Sequence, residues 1–190
     1  MGREFELKYR ADEEKIAAIR EKFGIFTEIS METVYYDTRD FALRRRKWTL
    51  RRRYENGKSV CTLKTPLPDG SRGEWETECG CIGDAVETLV RQGAPGALLT
   101  LTAQGVTEVC AARFTRLAKT VETGDALVEL ALDQGCLLGG GKALPFAEVE
   151  VELKAGSQAD AVSFAGALAA EFGLTPEEKS KVQRAMELLN

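Results

Sequence analysis

Alternation of charged and apolar side chains is the dominant pattern of this chain, and it is densest near the start. Residues 3–10 read Arg-Glu-Phe-Glu-Leu-Lys-Tyr-Arg. Successive side chains of a strand point to opposite faces, so Glu4, Glu6 and Lys8 share one face and Phe5, Leu7 and Tyr9 the other, with neighbours on a face about 6.5 Å apart. The pattern returns as Glu148-Val149-Glu150-Val151-Glu152-Leu153-Lys154. Between these, Thr49, Arg51 and Arg53 lie opposite Trp48 and Leu50, Thr62 and Lys64 opposite Cys61 and Leu63, and Glu74, Glu76 and Glu78 opposite Trp75. This period predicts strands at 3–10, 25–38, 47–55, 58–65, 72–79, 106–121, 126–133 and 143–154. Asn56-Gly57 marks a hairpin turn. Gly139-Gly140-Gly141 reads as another turn, since no strand–GxGxxG–helix context surrounds it.

Helical spacing predicts a helix over 13–23 behind an Asp12 cap and ahead of Gly24, others at 82–92, 94–104 and 157–172, and a last one at 176–189 with Thr175 as cap and Pro176 in its first turn. Eight or nine strands in hairpins, with peripheral helices, give an antiparallel α+β fold. No linker interrupts residues 1–190, so one domain is expected. Helices covering the apolar faces leave the charged faces pointing together. A closed sheet would then be a barrel with a charged lumen, in which every buried charge needs a partner. Trp48, Trp75, Phe114 and Val149 are expected in the core beneath the helices.

Charge and composition narrow the chemistry. The net charge is −4, but residues 44–53 hold seven cations in ten positions, while acids gather at the start, at 74–78 and at 148–152. Three like charges along one strand face repel unless a cation sits among them, so Glu4 and Glu6 with Glu148 and Glu150 are candidate metal ligands. The chain has no histidine, which removes the commonest general base and leaves oxygen ligands, suited to magnesium, manganese or calcium. Five cysteines without zinc-type spacing read as reduced thiols of a cytoplasmic protein. No signal peptide and no membrane-spanning run is legible.

An ordered set of motifs resembles the CYTH superfamily, the triphosphate tunnel metalloenzymes. Glu4-Phe5-Glu6-Leu7-Lys8 is similar to its Glu-x-Glu-x-Lys signature. Tyr35-Tyr36-Asp37-Thr38, Leu50-Arg51-Arg52-Arg53, Thr62-Leu63-Lys64, Arg72-Gly73-Glu74-Trp75-Glu76, Phe114-Thr115-Arg116, Glu129-Leu130-Ala131-Leu132-Asp133-Gln134-Gly135, Glu148-Val149-Glu150 and Ser180-Lys181 follow in the family's order. The resemblance implies an eight-stranded antiparallel tunnel with amphipathic helices outside, holding a small-molecule triphosphate with Mg2+ or Mn2+. Among family activities, it looks most like the bacterial inorganic triphosphatases; class IV adenylyl cyclase and thiamine triphosphatase are the alternatives.

On that resemblance, Lys8, Arg51, Arg53, Lys64, Arg116 and Lys181 would hold phosphates, where guanidinium forks match phosphate geometry. Glu148 and Glu150 would bind one metal and Glu4 and Glu6 a second. Glu4, Glu6, Lys8 and Glu76 form the candidate catalytic set, with Glu74, Glu76 and Asp133 read chiefly as orienting lumen cations. Arg113 and Lys119 compete with Arg116 for the lumen, because a bulge would change the parity of that strand. No determinant for adenine is legible. A non-enzymatic polyphosphate- or nucleic-acid-binding module is the different-class alternative; nucleic acid is disfavoured because only Trp48 and Tyr54 flank the basic run. A homodimer is compatible with the sequence.

Overall fold

The protein's structure, a computed structural model, describes residues 2–68 and 72–189, with residues 2–4 described by backbone alone. The Glu4 side chain, expected to bind metal, lies outside the described residues.

Ten strands form a single antiparallel sheet: β1 (Gly2–Glu4), β2 (Glu6–Arg10), β3 (Thr27–Asp37), β4 (Thr49–Glu55), β5 (Lys58–Pro66), β6 (Arg72–Glu78), β7 (Thr107–Thr123), β8 (Ala126–Gly139), β9 (Lys142–Gly156) and β10 (Thr175–Pro176). Their order is β1-β6-β5-β4-β3-β7-β8-β9-β2-β10. The two extra strands have simple origins. The predicted first strand is split at Phe5, and Thr175–Pro176 adds a short edge against Tyr9 and Arg10. The split brings the two ends of the sheet together: β1 pairs with β6 while β2, one residue on, pairs with β9. The sheet thus curls around a lumen through one shared segment rather than through a continuous closing ladder.

Turn chemistry follows the sequence. Asn56 and Gly57 both take positive φ, 46° and 87°, as a tight hairpin requires, and the glycine triplet turns β8 into β9. Gly135 is needed for close approach: a Cβ there would fall 2.1 Å from the Arg113 carbonyl oxygen.

Helices cover the outer face in two groups. Ile16 and Ile19 of α1 (Glu13–Phe23) and Ala161, Ala165 and Leu168 of α5 (Gln158–Phe172) bury against Val128, Leu130, Leu132, Val149 and Val151. Asp12 caps α1 by accepting from Lys15 N at 2.9 Å, and Ser157 caps α5. The other half of the sheet is covered by α3 (Ile82–Arg91) and α4 (Ala97–Thr102), whose Ala85, Leu89 and Leu98 pack on Leu50, Cys61, Leu63 and Trp75, with Trp48 at the edge. A short α2 (Ala42–Arg45) precedes β4, its amides bound to Asp37: Leu43 N and Arg44 N each donate at 3.0 Å.

Two expectations need correction. The last helix, α6 (Lys181–Glu187), begins five residues later than its first cap signal suggests. Pro176 is paired as strand, the Glu177 N–H donates to the Lys8 carbonyl at 2.9 Å, and the true start is a capping box between Ser180 and Gln183. Phe114 is buried, but not beneath the outer helices. It shares the parity of Arg116 and packs on the lumen side with Met31, Tyr35, Leu137 and the α6 residues Ala185 and Met186. The terminal helix therefore closes part of the lumen from within.

Candidate active site

The charged strand faces converge on a cavity of about 180 Å³. Among the described residues its wall carries eight cations, Lys8, Arg51, Arg53, Lys64, Arg72, Arg116, Lys154 and Lys181, against five carboxylates, Glu6, Glu74, Glu76, Glu150 and Glu152. A low-dielectric cleft with surplus positive charge attracts anions.

On the wall from β4, β5 and β6, the ion pairs of Arg51, Arg53 and Lys64 among the described residues are mostly long. Lys64 lies 3.2 Å from Glu74, Arg51 lies 3.6 Å from Glu74 and 3.9 Å from Glu76, and Arg53 lies 3.6 Å from Glu55. Glu76 also accepts from Thr62 Oγ1 at 2.9 Å, which holds it against the wall. The buried Nε of Arg51 and of Arg53 meets no acceptor among the described residues. Burial, with Arg51 and Arg116 nearby, pushes the Arg53 guanidinium below its ordinary value. Guanidinium N–H groups without an acceptor beside other cations suit an incoming anion.

The opposite wall, from β7, β8 and β9, is closely knit. Arg116 makes a fork with Asp133, at 2.8 and 2.7 Å, and donates to Glu150. From α6, Lys181 reaches Asp133 at 2.7 Å and Glu150 at 2.8 Å and hydrogen-bonds Glu148. Arg184 hydrogen-bonds Glu148 and lies 3.7 Å from Glu177, which Arg10 meets at 3.0 Å. Burial opposes charge on Arg116, yet Asp133 and Glu150 hold it above its usual range. Burial likewise works against charge on Glu150, but Lys181 and Arg116 hold it well below the carboxylate range, while burial and Glu150 push Glu148 up.

Asp133, Glu148 and Glu150 are all buried and offer oxygens within 4.8 Å of one another. An all-carboxylate set of this kind fits a hard divalent cation. Asp133, expected only to orient cations, is thus a third candidate ligand as well as the partner of Arg116. Glu6 lies 3.8 Å from Lys8 on the cavity wall, across the ladder from Glu152.

Parity in β7 is settled by geometry. Arg116 faces the lumen; Arg113 is exposed and pairs with Glu32 at 2.9 Å; Lys119 donates to the Phe23 carbonyl beside Phe26, outside. The one irregularity of the β3–β7 ladder lies at Tyr35/Tyr36, far from Arg116. Arg72, Lys154 and Arg184 complete the charged constellation without having been singled out by the sequence. Arg72 and Lys154 keep the lumen parity of their strands, a signal that was legible; Arg184 sits one turn beyond Lys181 on α6.

A second cavity, of about 510 Å³, adjoins the first across Tyr35, Thr49, Arg72, Ser180 and Val182, and is lined further by Tyr36, Trp48, Leu50, Val109 and Met186. The sequence had disclosed no such pocket.

The arrangement agrees with comparisons to known proteins. The CYTH domain matches residues 2–186. The chain belongs to the CYTH family. A curated relative, the inorganic triphosphatase of Haemophilus influenzae, is 28% identical over 152 residues; the match spans 79% of this chain and 43% of that protein, less than half its length. The solved PH1819 protein of Pyrococcus horikoshii is 25% identical with a TM-score of 0.67, covering 97% of this chain and 98% of its own. The Hippeastrum protein HpAC1, described as an adenylyl cyclase candidate with a dominant triphosphatase activity, is 16% identical with a TM-score of 0.66, covering 98% of this chain and 96% of its own; that likeness concerns the fold. No helix among the described residues is long and apolar enough to cross a membrane.

Proposed function

We propose that this CYTH protein hydrolyses a triphosphate, foremost inorganic tripolyphosphate to pyrophosphate and phosphate, with Mg2+ or Mn2+, in the cytoplasm. The observation that carries this reading is a cavity of about 180 Å³ lined by Arg51, Arg53 and Lys64 and, from the buried carboxylate cluster Asp133, Glu148 and Glu150, by Glu150. That volume is below the roughly 300–1,000 Å³ of pockets that enclose drug-sized ligands, which favours a compact polyanion.

Phosphoryl transfer needs chiefly positioning and charge neutralisation, which a site without histidine can supply. Lys8, Arg51, Arg53, Lys64 and Arg116 would bind and align the phosphates. Asp133, Glu148 and Glu150 would hold the divalent cation, which when bound neutralises phosphate charge and lowers the pKa of water. Glu4 and Glu6 remain the candidate ligands of a second ion. Glu76, tied to Thr62 and Arg51, would steady the phosphate-facing guanidinium.

The adjoining 510 Å³ cavity, with Trp48 and Tyr36 in its wall, favours a second reading: a triphosphate bearing an organic group, such as ATP or thiamine triphosphate.

Phosphate release from tripolyphosphate, ATP and thiamine triphosphate, each with Mg2+, Mn2+ or EDTA and with cyclic AMP assayed in the ATP reaction, tests both. Metal-dependent release fastest on tripolyphosphate is expected. Preference for an organic triphosphate would move the assignment to the second reading, cyclic AMP to a cyclase, and no turnover of any would overturn the hydrolase.

A further inference from the structure

The ammonium of Lys181 lies among the same three carboxylates that suit a divalent cation. It is 2.7 Å from Asp133 and 2.8 Å from Glu150 and hydrogen-bonds Glu148. An ammonium has three N–H donors, and here there is one carboxylate for each. Arg116 and Arg184 supply the remaining positive charge, so three cations stand against the three close carboxylates, with Glu129 3.8 Å from Arg116 and Glu177 3.7 Å from Arg184 at the margin, in a region where Asp133 and Glu148 are wholly buried. Two of those cations belong to α6, a helix of seven residues.

Adding a divalent cation to this cluster puts more positive charge than the three close carboxylates offset where water is excluded, which is strongly unfavourable. The excess falls if Lys181 withdraws. Its side chain borders the anion cavity together with Ser180 and Val182, so it has a place to go where phosphate oxygens would receive it. Withdrawal also removes the strongest polar tie between α6 and β8–β9, leaving Arg184 and the contacts of Ala185 and Met186.

We propose that Lys181 is a resident stand-in for the metal: a divalent cation binds Asp133, Glu148 and Glu150 by displacing its ammonium, which loosens α6 and hands the lysine to the anion cavity. This rests on the metal reading above. Occupation of one set of ligands by two cations is mutually exclusive, so the affinity for metal alone is reduced by whatever free energy Lys181 gains there.

The test is Mn2+ binding to the metal-free protein, read by loss of the free Mn2+ electron paramagnetic resonance signal, for wild type, Lys181→Gln and Lys179→Gln. Lys179 is the control, because it pairs with Glu187 outside the cluster, at 2.7 Å. Lys181→Gln should bind Mn2+ at least tenfold more tightly than wild type, and Lys179→Gln like wild type. Hydrogen exchange in unsubstituted protein gives an independent readout: saturating Mn2+ should speed exchange of amides in 181–187 and not in α5. Equal Mn2+ affinity in wild type and Lys181→Gln, or α6 exchange unchanged at saturation, overturns the stand-in while leaving the metal site intact. Failure of both proteins to bind Mn2+ overturns the metal reading and this proposal together.

Discussion

The two walls of the lumen are built from the same strand grammar but reach opposite electrostatic states. On β4–β6, ion pairs of Arg51, Arg53 and Lys64 run from 3.2 to 3.9 Å, and the buried Nε atoms of Arg51 and Arg53 have no acceptor among the described residues. On β7–β9, most contacts are close hydrogen bonds. On the first wall, burial and the neighbouring Arg51 and Arg116 disfavour charge on Arg53, which an anion would offset. The second is held by close pairs around Asp133, Glu148 and Glu150, although the buried Nε of Arg184 also meets no acceptor among the described residues, so under the proposed metal site its stability and its metal affinity compete. Charged residues at equal burial therefore predict different mutant phenotypes on the two sides.

The largest effect is expected at Glu148. Replacing it with Ala takes one of three carboxylates from Lys181 and, among the described residues, leaves the buried Arg184 with only Glu177, at 3.7 Å, and losing one partner of a buried pair typically costs about 3–5 kcal/mol. Denaturant unfolding should show a loss of that order, together with loss of activity. Lys64→Ala and Arg53→Gln belong to the opposite class. Each should lower kcat/KM by about 10²–10³-fold, the usual cost of removing one preorganised donor, while Tm stays at or above the wild-type value for Arg53→Gln because a cation among cations is gone. A fall of several degrees in Tm for Arg53→Gln would erase the contrast between walls. Arg113→Ala, on the outer face of the strand that carries Arg116, should leave turnover and Tm at wild-type values, since exposed pairs contribute little.

A pH-dependent effect concerns two buried thiols, Cys61 beneath α3 and α4 and Cys110 in the lumen-side cluster. Burial pushes Cys61 from 9.0 up to about 11 and Cys110 up to about 12. The unfolded chain loses those protons first, so the folded state binds more protons between pH 9 and 11 and stability falls as pH rises through that window. In Cys61→Ala that fall should be shallower than in wild type, as read by unfolding at pH 8, 9, 10 and 11.

Much of this was legible in the chain. The alternation placed Arg51, Arg53, Lys64 and the Glu148–Glu152 row on one face because strand parity is local and exact in period. What escaped needed tertiary partners. Asp133 and Glu129 are the two acids of a mostly apolar strand, and nothing nearby reveals that Glu148 stands directly across the ladder from Asp133. Pro176 carries a sound helix-start signal, overridden because pairing with Tyr9 satisfies the backbone there, and the Ser180 box four residues on carries an equally sound one. Phe114 is expected in the core beneath the helices, although its parity with Arg116 points inward.

The segment that splits at Phe5 has a consequence for how the chain folds. Hairpins β4–β5–β6 and β7–β8–β9 join near neighbours in sequence, whereas β2 must find β9, tying Glu6 to Glu152. Long-range pairings meet their loop-closure entropy before they return any contact energy, and chains rich in them fold slowly. Both outer helical layers can therefore assemble while the lumen is still open. The split at Phe5 thus places the pairings that bring the sheet's ends together, β1 with β6 and β2 with β9, on one short segment at the start of the chain.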